Sequence, residues 1–166
     1  MKKGNKWLGL LVAIVTLVVA VAGMTACGDT GKDLSAYAGT YKVESIRRSQ
    51  GINDKTYQVG DSLKPALSTL PNEFGADTLT DDYLVIELNA DGTATVNSKI
   101  SESLGGFTGT KTGEWKIDKQ EFVELKALTD NMTSLSESSL RFNDEGKLRF
   151  WCKLGEMNYV EYCLTK

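Results

Sequence analysis

From Gly39 onward the chain alternates. Short segments place an apolar side chain at every second residue, and turn-forming residues separate one segment from the next. Successive side chains of a β-strand point to opposite faces, so alternation over about four to eight residues marks a strand with one buried face. Few other patterns constrain a fold as tightly, because a slip of one residue would turn every apolar side chain out to water.

Eight such segments can be marked, at 39–49, 83–89, 93–101, 109–117, 121–127, 138–142, 147–154 and 159–165. The second carries Leu84, Ile86 and Leu88 on one face, and the third carries Ala94, Val96, Ser98 and Ile100. Gly113, Trp115 and Ile117 align in the fourth, Val123 and Leu125 in the fifth. Leu148, Phe150, Cys152 and Leu154 share a face of the seventh, as Val160, Tyr162 and Leu164 do in the eighth. Asn89-Ala90-Asp91-Gly92, Asp118-Lys119 and Asn143-Asp144-Glu145-Gly146 supply hairpin turns.

These strands predict an all-β domain, an eight-stranded up-and-down antiparallel barrel, since closure removes the two edges an open sheet would expose. A β-sandwich would use the same alternation and is the alternative. Eight strands enclose a space just wide enough to be filled by side chains or to hold one small ligand. The inward residues that could line such a ligand site are Tyr41, Ile86, Val96, Trp115, Phe150 and Tyr162. The same residue types would serve equally as a packing core.

The long connection at 51–82 is predicted to hold a short helix between the first and second strands. Ser62 can cap it, Pro65 falls in its first turn, Pro71 closes it, and Leu63, Leu67 and Leu70 share a face. It would act as a lid or as a plug in one mouth.

The N-terminal stretch has a different character. Lys2, Lys3 and Lys6 precede a charge-free apolar run at 8–22, which ends in Gly23-Met24-Thr25-Ala26-Cys27. That order describes a secretory signal at 1–26. Residues 24–27 resemble the lipobox of bacterial lipoproteins, with Cys27 as the acceptor of diacylglycerol. The resemblance implies a lipidated stalk at 27–33, a domain at 34–166, and a place on the extracytoplasmic face of the cell membrane. An uncleaved span across 7–28 or a signal cut elsewhere would compete, but a cysteine directly after Ala26 favours lipidation. Cleavage there leaves 140 of the 166 residues, enough for one domain with a true core.

Charge and composition then exclude functions. The 19 basic and 22 acidic residues give a net charge of −3, and losing the three signal lysines leaves −6. That sign gives no support to nucleic-acid binding. The chain has no histidine, which removes serine and cysteine triads, imidazole bases and HExxH zinc sites. Asp81-Asp82 reads as a loop end and Arg47-Arg48 as a solvated strand end. The two acidic turns need no calcium to explain them, so no metal or cofactor is expected and neither is an enzyme. Cys152 and Cys163 fall on opposite faces of neighbouring strands, where a disulfide would need a bulge; they are two thiols or one such bridge.

Gly39-Thr40-Tyr41 at the first strand looks like the Gly-x-Trp opening of lipocalins. Gly113-Glu114-Trp115-Lys116 and the two acidic glycine-ended turns resemble the lipocalin-like domains of bacterial surface lipoproteins. The resemblance implies a membrane-anchored lipoprotein whose barrel binds a small, largely apolar ligand. The alternative is a non-catalytic envelope protein with a side-chain-filled barrel, meeting a protein partner through its outer surface.

Overall fold

The computed structural model describes residues 32–67, 69–129 and 137–166. Cys27 and the signal at 1–26 lie outside the described residues. Lys32–Lys166 forms one compact unit. Its strands are β1 (Gly39–Gln50), β2 (Asn53–Gln58), β3 (Leu84–Leu88), β4 (Thr93–Lys99) and β5 (Thr108–Ile117). They continue with β6 (Val123–Leu125), β7 (Glu137–Phe142), β8 (Leu148–Gly155) and β9 (Asn158–Thr165), and a single helical turn, α1 (Lys126–Thr129), follows β6.

The hydrogen-bonded order is β6-β5-β4-β3-β1-β9-β8-β7, with every pair antiparallel. A bridge between Phe122 and Arg141, and a bond from the Phe142 N–H to Glu121 O at 3.0 Å, draw the two ends of this order together. The result is a nearly closed eight-stranded up-and-down barrel rather than a two-sheet sandwich. β2 stands off the circuit and pairs only with the second half of β1.

Alternation places the core. Ala94, Val96, Ser98 and Ile100 are buried along β4 and its exit, and Leu148, Phe150 and Cys152 along β8. Among the described residues the buried apolar side chains form a single cluster drawn from all the circuit strands. The cluster belongs to the compact unit Lys32–Lys166. At the start of this unit Lys32 reaches Glu121 at 3.3 Å, and the Tyr37 ring lies 4.9 Å from Phe142.

Two expectations are corrected. No helix occupies 62–71 among the described residues. Leu63 N–H donates to Asp77 O at 3.0 Å, Leu79 N–H to Asp61 O at 2.9 Å, and Ser62 bridges Thr78. The segment thus pairs with its own return limb. Leu63, Phe74 and Leu79 enter the core while Leu67 and Leu70 face water, so the leucines do not share a buried face. The second correction concerns Arg48, which is buried rather than solvated.

The turns follow one design. Asn89 N–H donates to Thr93 O, Gly92 N–H donates to Asn89 O, and Gly92 takes φ +86°. Asn143 and Gly146 repeat this, and Asp118 and Glu121 do so with a non-glycine at φ +69°. Two of the side chains that open these turns accept from their own backbone, Asp118 Oδ1 from Phe122 N–H and Asn143 Oδ1 from Lys147 N–H, each at 2.9 Å, while Asn89 Nδ2 donates to the Thr93 hydroxyl at 3.0 Å. Cys152 and Cys163 are thiols, one inside the barrel and the other half-buried on its outer face.

Beyond β4, Leu104 and Phe107 close the mouth, and Gly106 packs against Ile100 so closely that an added Cβ would overlap the Ile100 side chain. Gly106→Ala is expected to cost about 1–3 kcal/mol or more, the range for over-packing a filled site. Gly155→Ala, whose nearest neighbour would stand at an ordinary 3.6 Å, should change stability little. Urea midpoints of the two variants check this, and equal midpoints would refute it.

Candidate functional site

The barrel has two unlike ends. The turns at 89–92, 118–121 and 143–146 gather at one end with the N-terminal segment 32–38. The other end, the loop end, is built from the β1–β2 and β8–β9 turns, the connection 100–107 and the loop 59–80.

The six residues expected to line a ligand site do come together. Tyr41, Ile86, Val96, Trp115, Phe150 and Tyr162 are each at most 1 % exposed and belong to the same core cluster. A void large enough for a water molecule would leave its walls accessible to water, and these side chains keep at most 1 % of their surface so. Their contacts are with one another and with neighbouring rings. Phe150 stacks on Tyr162 at 5.8 Å, Tyr41 meets Phe142 at 5.5 Å, and Trp115 Nε1 donates to Asn89 O at 2.9 Å. Burial pushes the Tyr41 phenol up to about 12, so it stays protonated and donates to Tyr37 O at 2.6 Å.

Polar chemistry concentrates at the loop end, around Arg48. β1 carries an extra residue against β9: Val43 pairs with Leu164 and Ser45 with Cys163, leaving Glu44 as a bulge. The bulge shifts the alternation, so Tyr41 and Val43 point inward before it and Ile46 and Arg48 after it. It decides which arginine of the doublet enters the barrel mouth. Glu44 itself pairs with Lys147 at 2.8 Å, which holds its carboxyl below the usual range.

Arg48 is 6 % exposed. Its Nη1 donates to Ser49 O at 2.9 Å, to Tyr159 O at 3.1 Å and to Asn158 Oδ1. Its Nε and Nη2 fork onto the two oxygens of Glu73, each at 3.1 Å. Gln50 Nε2 also donates to Glu73 at 3.4 Å. The Glu73 backbone is fixed: its carbonyl accepts from the Ser101 and Ser103 hydroxyls, and next to it Phe74 O accepts from Tyr83 Oη at 2.6 Å. The Glu73 side chain keeps about a third of its surface in water. Tyr162 Oη, fully buried within reach of the Arg48 and Glu73 charges, is without a hydrogen-bond partner, and burial raises its phenol far above the ordinary value.

Outside the Arg48–Glu73 pair runs a depression of about 490 Å³, lined by Tyr57, Leu63, Leu70 and Phe74 with Lys55 and Lys64 on its rim. Two lysines face one glutamate there, in a chain whose net charge is negative. Lys64 also pairs with Asp77 at 3.0 Å, and Lys55 sits 4.3 Å above the Tyr57 ring. Beside the depression, Ile52 is 96 % and Met157 64 % exposed, and Gly51 N–H donates to Met157 O at 2.7 Å.

The Asp81-Asp82 doublet is divided between two lysines, Lys42 at 2.9 Å and Lys99 at 2.8 Å. No group of three or more acidic or cysteine residues able to hold a metal occurs among the described residues. Sequence reasoning missed Arg48, Glu73 and the depression. The break from a two-residue to a three-residue spacing between Val43 and Ile46 was the available signal for the bulge that turns Arg48 inward. No protein-family model, curated protein or solved structure matches the chain.

Proposed function

We propose that this chain is a non-catalytic lipoprotein, anchored through Cys27 to the extracytoplasmic face of a membrane, whose filled barrel carries an interaction surface at its loop end. The observation that supports this most is the contrast between interior and tip. The six inward residues are at most 1 % exposed, whereas Ile52, Leu67, Leu70 and Met157 stand out into water at the loop end. Large apolar side chains grouped at a surface are costly to hydrate and favour a protein partner. Cys27 precedes Lys32 by five residues, which span at most ~18 Å. The tether is therefore joined to the end opposite the apolar tips, and the partner on this reading is another envelope protein.

A photo-reactive residue at Met157 should cross-link in intact cells to one protein. The adduct should vanish with Ile52→Asp and be absent when the reactive residue replaces Lys119, at the tethered end. The same adducts from both positions, or none from Met157, would overturn the reading.

A second reading, a small and largely apolar ligand held at the barrel mouth, draws support from one observation. The depression of about 490 Å³ beside Tyr57, Leu63 and Leu70 has the volume of a small-molecule site.

A further inference from the structure

We infer that the buried Arg48 fork is a carboxylate-binding site, occupied here by the chain's own Glu73, and that an amphipathic monocarboxylate takes Glu73's place with its apolar tail along Leu63 and Leu70. The inference rests on the second reading above and names the class of ligand.

Three observations carry it. First, Arg48 is built as an anion receptor. Its Nη1 is committed to Ser49 O, Tyr159 O and Asn158, which fixes the plane of the guanidinium. The remaining edge, Nε and Nη2, is presented as a pair of parallel donors, the geometry that suits a carboxylate best. Second, the group in that fork comes from a side chain rather than from the barrel wall. The Glu73 backbone is pinned by Ser101 and Ser103, but its carboxylate reaches the fork from a partly exposed position and can rotate away without moving the loop. Third, an unused donor lies within the same electrostatic neighbourhood: the Tyr162 hydroxyl is fully buried and has no partner. Glu73, the residue that fills the fork, itself lines the depression together with Leu63 and Leu70.

The rim agrees in sign at Lys55, whose ammonium stands over the Tyr57 ring, while Lys64 is paired with Asp77. A neutral ligand would gain the trough but not the fork. Glu73 then acts as an internal competitor. As long as it holds the fork, the apparent affinity for an outside carboxylate is reduced by the fraction of molecules in which the fork is unoccupied.

That competition gives a signature a purely structural ion pair would not. Titration of the 32–166 chain with decanoate and with decan-1-ol should show the acid binding more tightly. In Glu73→Gln the decanoate affinity should rise about tenfold while the alcohol is unaffected. In the wild-type chain the same titration should move the Arg48 Nε resonance in NMR spectra, a readout that stands even if the variant folds poorly. Decanol bound as well as decanoate, or a Glu73→Gln variant that gains nothing for the acid, would overturn the carboxylate site and leave the mouth as a neutral ligand site. If neither compound binds, the ligand reading falls and this inference falls with it.

Discussion

Trp115→Ala is expected to lower the stability of the 32–166 unit by about 3–5 kcal/mol, the range for truncating a buried aromatic side chain. A domain of this size has about 5–15 kcal/mol in all, so the variant should stand near the edge of folding. The indole is 1 % exposed, lies on β5 between β4 and β6, and pairs across the sheet with Leu125. Removing it opens a cavity in the core and also takes away one of the two hydrogen bonds that Asn89 O accepts, the other coming from Gly92 N–H. Trp115→Phe separates the two effects, since it refills most of the volume but leaves Asn89 O with the Gly92 bond alone, at a cost of about 0.5–1.5 kcal/mol. Urea denaturation reads both variants. An unchanged midpoint for Trp115→Ala would mean the indole is on the surface, and the face assignment of β5 would be wrong.

The barrel was legible because each circuit strand has one buried face. From Leu84 to Leu88, from Ala94 to Ile100 and from Val160 to Leu164, the inward residues follow the period of the backbone and nothing interrupts them. β2 was not legible because it has no buried face. Asn53–Gln58 is exposed except at Tyr57, so its pairing with β1 leaves no hydrophobic trace. The helix expected over 62–71 failed for a related reason. Capping and leucine spacing are local signals, and hydrogen bonds from Leu63 and Leu79 to the opposite limb of the loop outweighed them.

The polar site was the least legible part. Arg48 and Arg47 are indistinguishable as types, and only the bulge at Glu44 sends one to Glu73 in the mouth and the other to Asp54 on the outer surface. Glu73 sits in a loop with no periodicity, so nothing in its neighbourhood connects it with a strand 25 residues earlier. The six inward residues were found for the opposite reason: their periodicity reports burial, which a core and a ligand cavity share.

Cys27→Ser is expected to abolish acylation, because the lipid is joined through sulfur and a serine hydroxyl does not replace it. Cells given a tagged fatty acid should label the wild-type protein and leave the serine variant unlabelled. Two acyl chains hold a protein at a membrane where one gives marginal, reversible binding, so the unlabelled product should be released, or be retained only through an uncleaved signal at 7–26. The fold should not register the change. The core cluster of the described residues belongs to the unit Lys32–Lys166, and the variant's urea midpoint should match that of the wild-type domain. Equal labelling of both proteins would place the acyl chains elsewhere, and an unlabelled wild type would refute lipidation at Cys27. Either result would leave the barrel intact but remove the argument that the tether joins the end opposite its apolar tips, since that argument needs the anchor five residues before Lys32.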